Sequence, residues 1–224
     1  MPEFDEIMRT TFACRQFTHE DVDDATIHRI LDVARFAPSG GNRQGNHVIV
    51  LRDKGVRERL VPLVREASAI YVEQAKVGES PWQSVHPTTV DEAAVRADPT
   101  HDAMRAETTL VTSPVLLVIT LDLGLTASFD KDLDRVGVIS GASIYPFVWG
   151  ILLAARNEGL GGVLTTYAAD KESEVQRLLN IPEHHAVAAL VPLGHPVKQL
   201  SRLTRSPVSQ IATVGTFDGD PFEI

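Results

Sequence analysis

Apolar positions recur at helical spacing early in the chain. In "DVDDATIHRILDVARFAPSGGN", Ile27, Ile30, Leu31 and Ala34 share one helical face behind a run of acids, and Pro38 ends the pattern. "HVIVLRD" follows with a short β-rich apolar run, Val48 to Leu51, which predicts a strand. "KGVRERLVPLVREASAIYVEQA" predicts a second helix, with Pro62 placed to kink it. "SPVLLVITLD", "GVLTTYA" and "HAVAALVPLGHP" predict three further strands, and "DKESEVQRLLNIPEH" a short amphipathic helix. "DRVGVISGASIYPFVWGILLAARNEGLGG" predicts one long helix, apolar almost all round. Such a helix is buried on most sides or lies at a subunit interface, with Gly159 or Gly161 as its stop.

Two stretches break this rhythm. Residues 76–107 mix Gly, Ser, Pro, His and acids with little periodicity and read as a surface insertion or lid, although Trp82 suits no purely solvated loop. From Val197 to residue 224 the chain is rich in Arg, Ser and Thr and does not read as core. Helices and strands mix without the regular βαβ alternation of a doubly wound sheet, which argues for an α+β sandwich.

The 224 residues suffice for one domain with a real core, and 43% apolar with 23% charged residues is ordinary for a soluble protein. A net charge of −9 argues against a general nucleic-acid binder, which needs clustered Lys and Arg. Cys14 is the only cysteine, so there is no internal disulfide and no Cys-based zinc site, which fits a reducing cytoplasm. "MPEFDEIMRT" carries acids where a signal peptide would be basic and then apolar. The apolar stretches 113–121 and 144–155 fall short of the roughly 20 residues that a membrane span requires.

Most common chemical motifs are missing. There is no Gly-x-x-x-x-Gly-Lys phosphate loop, dinucleotide fingerprint or Gly-x-Ser-x-Gly elbow. Of eight histidines, His184 and His185 are adjacent and no His-x-x-x-His pair occurs, so spacing predicts no metal site. Four segments remain: Arg9 and Arg15, the turn 38–46, the Gly/Thr edge 161–166, and Arg202 with Arg205. Ser39, Gly40 and Gly41 offer little apolar surface but allow backbone to approach a ligand closely. Beside Asn42, Arg43, Gln44 and Asn46, they suit a flat ligand with a polar edge.

Together these residues resemble the FMN-dependent nitroreductases. The blocks "RTTFACRQF", "ILDVARFAPSGGNRQ", "HVIVLRD", "SPVLLVIT", "GILLAARNEGLGGVLTTY", "LLNIPEHHAVAALVPLGHP" and "TRSPVSQI" keep the family's order over nearly the whole chain. The resemblance implies a single domain over 1–224, an α/β/α sandwich with a mainly antiparallel sheet flanked by helices. It also implies a homodimer with exchanged C-terminal extensions, the tail 197–224 wrapping the partner.

It further implies bound FMN, with NADPH or NADH as reductant. Anchored on Phe17, Arg15 matches the last basic position of the N-terminal phosphate motif; Thr11 and Ala13 stand where the family has Arg-x-Ser, with Arg9 nearby. Arg205, in "RSP", matches the C-terminal phosphate arginine, and Arg suits such charge-assisted pairing. Leu164, Thr165 and Thr166 match the segment passing the flavin ring. Pro38, Ser39 and Gly40 match a turn lying against the partner subunit's flavin, with Asn42 at the ring's edge or fixing the turn. Where the family often continues "NRQPW", this chain has Gly45 and Asn46, which makes that wall more polar or more open.

The implied reaction is a ping-pong hydride transfer to electron-poor aromatics such as nitroaromatics or quinones, with no catalytic side chain assigned. Tyr71, Trp82, Phe147 and Trp149 are candidate aromatic walls, Trp149 fitting core better. In Tyr145, Val148, Ile151 and Leu152 the helix offers a face that could meet a partner across a two-fold axis. The same fold also supports reductive dehalogenation, for which Glu73, Lys76 and Glu79 are the charged groups available to clasp an amino-acid zwitterion, as well as flavin fragmentation, and flavin binding or redox sensing without turnover.

Overall fold

The computed structural model describes residues 3–101 and 104–224. In chain order the helices and strands are α1 (Phe4–Thr10), α2 (Asp24–Ala34), β1 (Asn46–Leu51), α3 (Lys54–Lys76), α4 (Glu92–Ala97), α5 (Met104–Thr112), β2 (Val115–Asp122), α6 (Tyr145–Asn157), β3 (Gly161–Gly162), α7 (Glu172–Leu179) and β4 (His185–Gly194). The strands form one sheet in the order β1-β2-β4-β3, antiparallel throughout.

The period-two alternation of β2 divides the interior into two layers. Val115, Leu117, Ile119 and Leu121 pack with Ile27 and Ile30 of α2 and with Val148 and Ile151 of α6. Leu116 and Val118 point the other way, toward Leu60 and Val64 of α3 and Val175 of α7. Helices therefore cover both faces, as an α/β/α sandwich requires. With both faces buried, β2 reads as a continuous apolar run. Asp23, Asp53 and Asp91 start α2, α3 and α4 by accepting backbone N–H bonds from Thr26, Val56 and Ala94.

β4 carries a bulge. Ile119 of β2 faces Ala189, but Thr120 faces Val187, so Ala188 has no partner in the ladder. The extra residue shifts the alternation: Val187 lies in the α3/α7 layer, whereas Ala189, Val191 and Leu193 lie in the α2/α6 layer. The Tyr145 hydroxyl donates to the bulged Ala188 carbonyl at 3.4 Å.

Arg57 is 3% exposed and pairs with no carboxylate among the described residues. Its guanidinium donates to the carbonyls of Leu51, Ser113 and Pro114, tying the end of β1 to the entry of β2. At the other sheet edge, a Cβ on Gly162 would sit 2.5 Å from Leu193 Cδ2 and 2.9 Å from the Pro192 carbonyl. Only glycine lets β3 lie that close to β4.

Several expectations change. The long helix is α6 alone, preceded by a 3-10 turn at Ile139–Ser143. Here the Asp130 carboxylate takes the backbone N–H of Val138 at 2.7 Å and of Ile139 at 3.3 Å, fixing a loop ahead of the helix. Gly159, at φ 79°, follows the helix end. The third predicted strand is only Gly161–Gly162, with one further bridge between Thr165 and Leu190. α3 runs unbroken through Pro62. The segment 76–107 contains α4 and the start of α5, and Val95 of α4 packs on Ala69 and Ile70 of α3; residues 102 and 103 of that segment lie outside those described.

The α6 face expected to meet a partner is core within one chain: Val148, Ile151 and Leu152 are buried. Phe147 is buried too, which removes it as a ligand wall. Trp149, expected in core, is 37% exposed and stands one turn from Tyr145, 41% exposed. Strong apolarity marked the helix, but only the sheet's position decides which side it covers.

Candidate functional site

Beyond β3 the chain swings past β4 from Val163 to Thr166, held by Thr165 N–H to the Leu190 carbonyl at 3.0 Å and the reverse bond at 2.8 Å. A 3-10 turn follows at Tyr167–Lys171. One face of α3, carrying Ala67, Ser68, Tyr71 and Val72, lies opposite. Between them is a cavity of about 880 Å³, with Arg15, Trp82, Pro192 and the backbone of 163–167 also on its walls.

Its polar equipment is sparse. The Thr165 Oγ1 is buried and has no hydrogen-bond partner among the described residues. Arg15 and Asp170 are the charged residues on the cavity wall among those described. The rings of Tyr71 and Tyr167 meet edge to face, 6.0 Å between centroids at 77°. Burial pushes the Tyr167 phenol up, with a smaller effect of Tyr71 in the same direction.

Trp82 closes one side in a strained backbone conformation, φ 56°. Its backbone N–H donates to Gln74 Oε1 at 2.8 Å and its indole N–H to the Ala67 carbonyl at 3.1 Å. Two bonds to α3 thus hold a bulky residue where L side chains are rare, a pattern that marks ligand clamps. Next to it, Arg96 of α4 grips Asp170 with two bonds, 2.6 and 2.9 Å, and also pairs with Glu66 at 2.9 Å. Lys171 reaches the same Glu66 at 3.0 Å. Burial tends to raise the Glu66 carboxyl, but Arg96 and Lys171 outweigh it and hold it below the ordinary range.

Of the residues singled out from the sequence, the cavity gathers Arg15, Tyr71, Trp82, Leu164, Thr165 and Thr166. It does not gather the others. Arg9 is exposed in the last turn of α1. Thr11 is buried with its hydroxyl on the Ile7 carbonyl at 2.7 Å, which occupies its donor within α1. Arg205 is exposed in the tail and donates to the Thr204 carbonyl at 2.7 Å.

The turn 38–46 stands apart from the chain's own cavity. Ser39 Oγ accepts the Gln44 N–H at 2.9 Å, and Gly40 N–H donates to Ser143 Oγ at 3.2 Å. Gly41, Asn42 and Gln44 all have positive φ, so the turn is fixed in shape while Pro38, Gly40 and Asn42 stay exposed.

Sequence reasoning missed Ser68, Tyr167, Asp170 and Pro192. Ser68 had a signal, because it shares the α3 face of Tyr71, and Tyr167 directly follows the two threonines. Asp170 had none; only the fold brings it to Arg96.

These observations define a class first: an α+β sandwich with an aromatic-walled cavity at the exit of its edge strand. A profile of the nitroreductase family matches residues 8–195, and the chain belongs to that family of flavin oxidoreductases. It is 26% identical over 215 residues to an iodotyrosine deiodinase of Nematostella vectensis, covering 93% of this chain and 74% of that one. Over 198 residues it is 28% identical to an NADH dehydrogenase of Thermus thermophilus, covering 88% of each. The solved structure of the NADPH:FMN oxidoreductase from Vibrio harveyi, complexed with NAD+, superposes with a TM-score of 0.68 at 18% identity, covering 95% of this chain and 77% of that one. No helix among the described residues is long and apolar enough to cross a membrane.

Proposed function

We propose that this chain is an FMN-dependent oxidoreductase that oxidises NADH or NADPH and reduces flat, electron-poor molecules such as nitroaromatics or quinones, in the cytoplasm and as a homodimer. One observation carries the reading. Thr165 lies on the cavity wall between Leu164 and Thr166, and its buried hydroxyl has no partner among the described residues. A buried polar group left unpaired costs about 1–3 kcal/mol, which a ligand with a polar edge relieves. The donor set fits FMN: hydroxyls and backbone for the ring's edge, apolar Val163 and Leu164 for its body, and Arg15 for an anionic phosphate.

Bound FMN would supply the redox chemistry, two-electron exchange between a nicotinamide and a second molecule. The chain's residues bind and orient. Arg15, with Arg205 and the Arg9–Thr11 segment, offsets the phosphate charge. Thr165 and Thr166 hold the polar edge. Tyr71 and Trp82 provide faces on which a planar substrate stacks. Pro38, Gly40 and Asn42, exposed and preshaped in one chain, wall the flavin of a second copy together with the half-buried Ser39. No side chain is assigned as proton donor, since water reaches an open site.

A second reading, reductive dehalogenation, draws on the deiodinase relatives of this chain. Its charged clasp finds less support. Lys76 is paired with Glu73 at 2.6 Å, and the Glu79 carboxylate is taken by Thr88 and Thr89. None of the three lines the cavity.

The test is to purify the protein, record its visible spectrum, and titrate it anaerobically with NADH and NADPH. A yellow protein bleached by one of them, and turning over with a quinone, is expected. A colourless protein that takes up no added FMN overturns the proposal, stable bleaching without turnover leaves a binding module, and halide release from a halogenated aromatic supports the second reading.

A further inference from the structure

We propose that Asp122, His184 and His185 form a binding site for one divalent ion of the zinc class, apart from the flavin cavity. The three side chains bring one ligand atom each to within 4.8 Å of one another. The Nε2 atoms of His184 and His185 both stand 3.9 Å from Asp122 Oδ2. A tetrahedral ion with bonds of ~2.0–2.1 Å places its ligands about 3.3 Å apart, so each histidine closes on Asp122 Oδ2 by about 0.6 Å and the two histidine atoms on each other by up to about 1.5 Å. His184 is 62% exposed and has the freedom to make that adjustment.

The remaining atoms of these side chains are already employed in a way that leaves those ligand atoms available. Asp122 Oδ1 accepts the Gly124 N–H at 2.8 Å, capping a 3-10 turn, which leaves Oδ2 toward the histidines. His185 Nδ1 lies 3.1 Å from Thr120 Oγ1. In the tautomer with the proton on Nδ1, the ring donates to Thr120 and presents the Nε2 lone pair toward Asp122. Metal-bound histidines are oriented by just such a bond from the second ring nitrogen. The backbone is pinned too: Leu123 N–H donates to the His184 carbonyl at 3.0 Å, and Gln176 Nε2 to the His185 carbonyl at 2.8 Å.

The Ala188 bulge is what aligns the set. With it, His185 pairs directly with Asp122 across β2 and β4. Were Ala188 paired in a regular ladder instead of bulged, Ala186 would face Asp122 and His185 would lie beyond the end of β2. The expectation from spacing concerned one helix face; the grouping instead comes from a turn and a neighbouring strand, which spacing along the chain does not reveal.

Two imidazoles and one carboxylate are a borderline ligand set that suits Zn²⁺, with water in the fourth position, and Ca²⁺ or Mg²⁺ poorly. His185 is five residues along β4 from Leu190, the partner of Thr165, or roughly 17 Å at about 3.3 Å per residue. The ion would therefore be structural. The Asp122 N–H also donates to the Gly45 carbonyl at 2.8 Å, so an ion here would fasten β2, the 181–185 turn and the end of the 38–46 turn together.

The test uses the flavin-loaded full chain, stripped with a chelator and titrated calorimetrically with Zn²⁺ alone. Co²⁺ serves as a second probe, through ligand-field bands to the red of flavin absorption. One ion per chain is expected, with a higher melting temperature, and at least roughly tenfold weaker binding in His184→Ala and Asp122→Asn. Thr120→Val keeps all three ligands and should weaken binding about 10- to 100-fold; unchanged affinity there removes the positioning role given to Thr120. Flavin content should stay unchanged in His184→Ala, a surface substitution that leaves the fold intact. No uptake by the unmodified chain, or uptake of equal affinity in His184→Ala and Asp122→Asn, overturns the proposal.

Discussion

Arg96 holds both carboxylate oxygens of Asp170, at 2.6 and 2.9 Å, and so fastens α4 to the rim of the cavity. Arg96→Ala should loosen the 76–101 segment. Charged hydrogen bonds contribute about 1.5–3 kcal/mol, so amide exchange in that segment should rise roughly 10- to 150-fold while the sheet stays protected. Equal protection in both proteins would show that the pair fastens nothing.

The same contact predicts an acid response. Glu66 is held below its ordinary value in the folded chain by Arg96 and Lys171, against the effect of burial. Its contribution is therefore complete at neutral pH and fades as pH falls through and below the ordinary glutamate range. Exchange in 76–101 should accelerate there, and less so in Arg96→Ala. An identical acid profile in the two proteins would contradict this.

Thr165→Val should act with opposite signs on two measurements. Removing a buried hydroxyl that has no partner should leave the flavin-free protein as stable or more so by thermal melting. Flavin affinity should fall about 2- to 13-fold, for the roughly 0.5–1.5 kcal/mol of one neutral hydrogen bond. A variant with full flavin affinity would remove Thr165 from the binding set.

Arg15→Ala and Arg205→Ala should each weaken FMN retention by roughly 10- to 150-fold, the value of one charged bond of about 1.5–3 kcal/mol, without loss of fold. Arg15 lies on the cavity wall within one chain, whereas Arg205 is exposed in the tail, so its effect should appear only in the dimer. Undiminished flavin content in both variants would place the phosphate elsewhere.

The subunit contact should run through Tyr145 and Trp149, the exposed positions of α6. Trp149→Asp, or removal of the chain after Pro196, should give a monomer with little flavin. Sedimentation of a flavin-loaded, active monomer in either case would defeat the dimer.

Much of the fold was legible because β2 and β4 are buried on both faces and α2 and α7 on one, leaving continuous and periodic patterns. The ends of α6 were not legible. Asp130 competes for the backbone at Val138 and Ile139, and a side chain eight residues away leaves no local trace. Half of the candidate site was readable, because Leu164 to Thr166 follow one another in the sequence. Arg9, Thr11, Pro38, Ser39, Gly40, Asn42 and Arg205 belong to other surfaces of the single chain. A sequence lists neighbours along one chain and does not say which of them a second copy would bring in. Asp170, Ser68 and the Asp122 group depend on packing across the sheet.

The Ala188 bulge takes up one residue of chain length without moving the pairs on either side of it. Replacing Ala188 by serine changes little, because its carbonyl, not its side chain, receives Tyr145. Deleting it restores simple alternation and disturbs nothing before it: Val187 then adjoins Ala189 directly, stays opposite Thr120 toward α3 and α7, and His185 keeps its place opposite Asp122. Among related chains, one residue fewer between the 181–185 turn and Leu190 is thus compatible with the same corner, built on a regular ladder in place of the bulge.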